Sequence, residues 1–439
     1  MIDRELLKRF FNALPERAEG GADVSSIYVR RAPDDAHDPV QNIREYIAWD
    51  QPGSTYLFSG LRGSGKTTEL NRLIAELRDD GVEAFYCDAS AYLNLNDPQL
   101  TLPELLLTVL AGLSDAVRQR YGKDFLKDTE SIWQRTRRFF ASNVELKPTL
   151  KAEAGGVGVE IEATLQENPD FRNELNKFAR SSSQFFDEAR KFAAALAELI
   201  QQRGQCERIV MVVDSLERLS APTGAESTLF DSLKEVFFNN PAQLQFPAFS
   251  VVYSAPPYLH AVLPGVSSGF TQSFALPNFK VMQRPKESDT CCQRNQQGID
   301  QMVEIVQRRF PEWRNALSQP VVEHLAWMSG GNVRRYFSLI CTTLMKTALG
   351  GNPLPLAMAD DSPVRQAIAK AAEPLQWLTA EDRRWLDLFM THSDNPSGHI
   401  KDLVQDLPAI IRLFDHSLVL DYQNGSVWYQ VPPLVRDYV

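Results

Sequence analysis

The stretch Gly60-Leu-Arg-Gly-Ser-Gly-Lys-Thr-Thr68 limits this chain more than any other. Two glycines with four residues between them, Gly60 and Gly65, followed by lysine and threonine, have the spacing of a loop whose backbone N–H groups turn inward onto a phosphate. On this reading Gly60, Arg62, Gly63, Ser64, Gly65, Lys66, Thr67 and Thr68 hold a nucleotide, Lys66 reaching its β- and γ-phosphates and the Thr67 hydroxyl its Mg²⁺. The flanks agree. Thr55–Ser59 reads as a short buried strand, and Leu70, Leu73, Ile74 and Leu77 recur at helical spacing after the loop. Gly81 then stops the helix, and Glu83–Cys87 begins another strand. Strand, helix and strand in that order form a βαβ unit, which requires a parallel sheet. The fold class expected is therefore α/β, with a parallel-sheet P-loop core.

A second anchor is Arg208-Ile-Val-Met-Val-Val-Asp214, a continuous apolar run ending in a carboxylate, as in a buried central strand with its functional group at the carboxyl end. Asp214 either meets the Mg²⁺ of a bound ATP or caps the next helix. Glu217 is the available general base for an attacking water, although Ser215 occupies the position directly after the aspartate. Pro247–Ser254 is the next strand, and Ser254 at its end either contacts the γ-phosphate or water or is a plain strand-terminal serine. Phe274–Val281 supplies a fifth strand.

Around this core, residues 1 to about 20 read as a helix carrying Leu6, Leu7, Phe10, Phe11 and Leu14 on one face. Thr101 and Pro103 open a helix of core residues. Residues 120–205 read as an insertion: an amphipathic stretch with Arg135, Arg137 and Arg138 beside Trp133, a short hairpin turning at Gly155-Gly156, and one long helix from Phe171 to Gln202. Beyond a polar linker at 284–297 lies a helical unit. In it Gly330-Gly331-Asn332 separates two helices and sets Arg334 or Arg335 on a first turn, with a side chain free to reach phosphate.

The ordered set resembles the AAA+ ATPases, in the branch shared by origin-recognition initiators and STAND signalling ATPases. The matching residues are the Walker A loop 60–68, the Walker B strand ending in Asp214, sensor 1 at Ser254 and the sensor 2 motif Ser329-Gly-Gly-Asn-Val-Arg334. The resemblance implies a helical lid in which Arg334 contacts the γ-phosphate, a lead-in that lays Tyr28 against the adenine, and ATP with Mg²⁺ as cofactors. It also implies a C-terminal winged helix, here with helices 380–390, 400–405 and 407–416 and a hairpin at 418–431. The expected domains are an N-terminal helix (1–27), the ATPase core (28–283), the lid (284–372) and the winged helix (373–439). Two features depart from the family: 256–273 contains no Arg or Lys to act as an arginine finger, and 373–439 carries ten carboxylates against five bases. Arg284, Arg308 or Arg309 are the substitutes for the finger; failing them, hydrolysis is slow.

That acidic balance and the overall charge of −10 count against phosphate-backbone recognition. The expected output is ATP-dependent self-assembly or binding of a protein effector encoded elsewhere, with bacterial antiphage defence the setting the resemblance suggests. A DNA-binding initiator or transposition-type loader is the alternative. The charged N-terminus, the absence of an apolar run of about 18 residues and five cysteines without metal spacing point to a cytoplasmic protein with no membrane span.

Overall fold

The computed structural model describes the chain except residues 1–2, 16–23, 32–37, 123–168, 182, 264, 286–291, 393–399, 401–402, 425 and 439. The chain divides into two compact units. One comprises Met1–Asp38, Gly60–Glu69 and Ala275–Val439; the other comprises Pro39–Ser59 and Leu70–Phe274.

The second unit contains a five-stranded sheet in the order β2-β3-β4-β1-β5, from β1 (Thr55–Ser59), β2 (Glu83–Asp88), β3 (Ile209–Asp214), β4 (Ser250–Ala255) and β5 (Gln272–Ala275). The pairings of β2 with β3, β3 with β4 and β4 with β1 are parallel. The carboxyl ends of β1, β3 and β4 therefore share one side of the sheet. β1, β3 and β4 are buried at every position, which is why each reads as an unbroken apolar run and not as an alternation. β5 ends at Ala275, short of the strand expected through Val281, because Pro277 has no N–H to give a ladder.

Helix Leu102–Tyr121 packs on β2, and its approach is close: a Cβ on Gly112 would lie 2.3 Å from Cys87 Sγ. The Thr101 N–H donates to Glu104 Oε2 at 3.0 Å, closing the first turn as the sequence implies. The long helix expected over 171–202 is two helices, Pro169–Ser181 and Gln184–Gly204. They separate at a serine run; Ser181 Oγ donates to the Phe178 carbonyl at 3.0 Å, the local competition by which serine weakens a helix interior. Gln184–Gly204 buries Phe185, Phe192, Leu196 and Ile200 and packs on helix Leu102–Tyr121.

Among its described residues, the regular structure of the first unit is helical apart from one hairpin. Helix Arg4–Asn12 packs on helix Val333–Gly350 and stacks Phe10 on Phe310 at 4.8 Å; Phe11, expected on the same face, is 40% exposed. Helices Gln296–Arg309, Gln319–Ser329, Val333–Gly350 and Ser362–Ala372 pack in sequence. Helices Ala380–Thr391 and Leu403–Asp415 then lead to the antiparallel hairpin β6 (Leu420–Asn424) and β7 (Ser426–Gln430). Two helices expected at 400–405 and 407–416 are one. Pro408 removes a donor inside it, but burial of Leu407, Ala409, Ile410, Ile411, Leu413 and Phe414 holds the helix together. Among the described residues no helix is long and apolar enough to cross a membrane.

Candidate functional site

In the first unit the phosphate loop has the backbone that its glycines imply, with φ of +82° at Gly63 and +100° at Gly65. A side chain at Gly63 is excluded twice over. Its Cβ would lie 2.6 Å from Arg334 Cβ and 2.7 Å from Asn332 Oδ1. Lys66 is buried and donates to the carbonyls of Gly60 at 2.7 Å and Leu61 at 3.2 Å, so its ammonium folds back over the loop's own backbone.

Three further segments of this unit hold the outward carbonyls of the loop. Asn332 Nδ2 donates to the Arg62 carbonyl at 2.8 Å, and Ser417 Oγ donates to the same oxygen at 3.3 Å. The Arg334 N–H donates to the Gly63 carbonyl at 3.2 Å. Arg31 is the third tie. It donates to the carbonyls of Ser64 at 2.8 Å and Pro277 at 2.6 Å, pairs with Glu69 at 3.3 Å, and lies over the Phe279 ring. The carbonyls of the loop are thus fixed from outside, while its N–H groups are the donors a phosphate needs.

The Gly-Gly-Asn turn works as its residues suggest. Gly330 and Gly331 take left-handed φ, and Asn332 Oδ1 caps helix Val333–Gly350 by accepting from the Arg335 N–H at 3.1 Å. The two arginines part company here. Arg335 is spent on the carbonyls of Ser417 at 2.8 Å and His416 at 3.2 Å, and burial lowers its guanidinium to about 10. Arg334 is the one whose backbone and Cβ adjoin the phosphate loop.

Behind this turn lies a polar chain that the sequence did not disclose. Asp421 on β6 accepts from Asn278 Nδ2 at 2.8 Å, and Asn332 Nδ2 is 3.4 Å from Asn278 Oδ1. Asp421, Asn278 and Asn332 are all buried. Burial raises the Asp421 carboxyl to about 6, opposed by the positive fields of Lys66 and Arg31. The Tyr422 hydroxyl, next along β6, donates to the Gly330 carbonyl at 2.5 Å. Tyr28, the adenine candidate, has its carbonyl held by Arg308 in this unit; Arg31, three residues on, reaches the phosphate loop.

In the second unit Asp214 closes β3 with both carboxylate oxygens engaged. Oδ1 accepts from the Ser215 N–H at 2.7 Å, and Oδ2 accepts from the Tyr86 hydroxyl at 2.9 Å. Ser215 has φ of +72°, an unusual conformation for a residue with a Cβ. Glu217 follows in a 3-10 turn and is buried. That turn is tied to strand β4, because Ser254 Oγ accepts from the Leu216 N–H at 2.9 Å. Ser254 is therefore more than a strand terminus: it fixes the segment that carries Glu217.

Among the described residues no group of three or more His, Cys, Asp or Glu could hold a metal. The candidates for a divalent ion are one hydroxyl, Thr67 in the first unit, and one carboxylate, Asp214 in the second. That donor set fits Mg²⁺, which takes a few protein oxygens and completes its shell with phosphate and water. Of the substitutes for an arginine finger, Arg308 pairs with Glu304, and Arg309 is half-buried over the Phe337 ring. The patch at Arg135, Arg137 and Arg138 and the hairpin at Gly155-Gly156 lie outside the described residues.

No protein-family model and no curated protein matches the chain. Solved structures match along nearly all of it at low identity. They include the Aeropyrum pernix ORC2 protein in ADPNP-ADP complexes, with a TM-score of 0.40, 14% identity, and 94% of this chain and 96% of that one covered. Drosophila ORC bound to DNA matches with a TM-score of 0.36 and 12% identity over 100% of this chain and 92% of that one. The Thermotoga maritima RuvB Holliday junction branch migration motor gives 0.35 and 10% over 94% and 98%.

Proposed function

We propose that this chain is an Mg-ATP-binding switch ATPase of the AAA+ and STAND type, coupling its nucleotide state to self-assembly or to binding of a protein partner in the cytoplasm. The observation that carries the proposal is the way the phosphate loop is held in the first unit. Its carbonyls at Arg62, Gly63 and Ser64 are bonded by the sensor 2 turn, by the C-terminal segment through Ser417, and by Arg31. Any change in the loop is felt at once by the lid and by the C-terminal segment, which we read as a winged helix.

Phosphate binding requires Lys66 to leave the carbonyls of Gly60 and Leu61. The arriving negative charge then acts on Asp421, whose buried carboxylate lies in the field of Lys66. Repulsion favours release of the β6–β7 hairpin, and Arg334 is the cation placed to answer the γ-phosphate. Thr67 and Asp214 are the proposed magnesium ligands; the ion when bound offsets phosphate charge. Glu217, on a turn fixed by Ser254, orients the attacking water. With no arginine in 256–273, turnover is slow and occupancy rather than rate sets the output. A bacterial antiphage setting is in keeping with such a switch.

The test is titration with a fluorescent ATP analogue in the presence and absence of Mg²⁺. Binding that Lys66→Ala weakens about 10- to 100-fold, the cost of one lost charged hydrogen bond, supports the proposal. Equal binding by both proteins overturns it. Duplex binding that falls steeply with salt would favour the initiator reading instead.

A further inference from the structure

We infer that Tyr86 is a positioning residue for Asp214, holding the carboxylate in the one rotamer from which it can serve a divalent cation. The inference rests on the Mg-ATP reading above. Nothing in the sequence pattern marks Tyr86, which is one more position in the apolar run of β2. The register explains its reach: Asp88 pairs with Asp214 and Tyr86 with Val212, so the tyrosine starts two residues back along the neighbouring strand and spans that distance with its ring. Its hydroxyl donates to Asp214 Oδ2 at 2.9 Å.

The other oxygen is fixed as well. Oδ1 accepts from the N–H of the next residue, Ser215, at 2.7 Å, a bond that goes with the left-handed backbone of that serine. A carboxylate held at both oxygens cannot rotate about χ2, and because a carboxylate oxygen has more than one lone-pair direction, a hydrogen bond to it does not of itself exclude a cation. Partners of this kind around a metal ligand are worth about 10- to 100-fold in metal affinity or activity.

The experiment uses the full chain and Mn²⁺ as the probe, followed by electron paramagnetic resonance during titration into protein saturated with ADP. ADP affinity is measured separately in EDTA. Tyr86→Phe keeps the ring and removes one donor. It should weaken Mn²⁺ binding about tenfold and leave metal-free ADP affinity within twofold of wild type. p-Aminophenylalanine at position 86 keeps the ring and a donor at the same reach and should recover most of the Mn²⁺ affinity. Unchanged Mn²⁺ affinity in Tyr86→Phe, or equal losses in both variants, overturns the inference. If Tyr86→Phe does not fold, Tyr86→Leu takes its place: a tenfold loss of Mn²⁺ affinity with metal-free ADP affinity kept supports the inference, and unchanged Mn²⁺ affinity overturns it. Wild-type protein that binds no ADP at all refutes the nucleotide reading itself, a distinct result.

Discussion

Replacing Asp421 by asparagine should stabilise the β6–β7 hairpin at neutral pH, although it removes a charge from the neighbourhood of two cations. Asp421 is buried, and its carboxyl rises from 3.8 to about 6. The folded hairpin therefore prefers the protonated acid. Its stability is full below pH 4, where the acid is protonated folded or unfolded, and is lost as pH rises through 6. A shift of roughly 2 units corresponds to about 3 kcal/mol, of which about 2 falls between pH 4 and pH 7. Asparagine can accept the Asn278 hydrogen bond without the charge. The assay is hydrogen exchange of the amides of 420–430 in both proteins, since the ratio of their rates cancels the intrinsic effect of pH. The variant should gain protection relative to wild type by roughly 30-fold between pH 4 and pH 7. A ratio that does not change with pH would refute the reasoning, because Asp421 would then not be held against its own ionisation.

Other expectations follow from single contacts. Asn332→Ala loses both the helix cap at Arg335 and a donor to the Arg62 carbonyl, and should cost about 2 kcal/mol in urea denaturation, about 1 for each. Ser254→Ala leaves the Leu216 N–H without its acceptor; about 1–3 kcal/mol of stability and a fall in ATP turnover at saturating nucleotide are expected, with nucleotide affinity unchanged. Gly63→Ala, placed at φ +82° against Arg334 and Asn332, should cost more than about 1 kcal/mol by thermal melting.

What was legible in the sequence was whatever depends on neighbours in the chain. β1 and its phosphate loop, the carboxylate ending β3, and the cap at Thr101 all announce themselves within a few residues. The serine run that divides 169–204 was also local, but the strength of the flanking apolar pattern hid it. The single helix Leu403–Asp415, expected as two, differs in the other direction: the cost of Pro408 inside it is met by burial, which no local pattern reports. The residues that hold the candidate residues of each unit were the ones missed. Arg31 meets Pro277 across 246 positions, Asn278 meets Asp421 across 143, and Tyr86 meets Asp214 across 128. Each is an ordinary residue for its segment, and only the fold gives it a partner. Arg30-Arg31 was the one available hint, an adjacent basic pair ahead of a candidate anion site.

The coupling of nucleotide to assembly is tested most directly by mass photometry of the wild type, Lys66→Ala and Arg334→Ala with no nucleotide, with ADP and with a non-hydrolysable ATP analogue. Larger particles for the wild type with the analogue alone, absent in both variants, are the predicted result. An identical mass distribution for all three proteins under every condition would contradict self-assembly as the output of the switch.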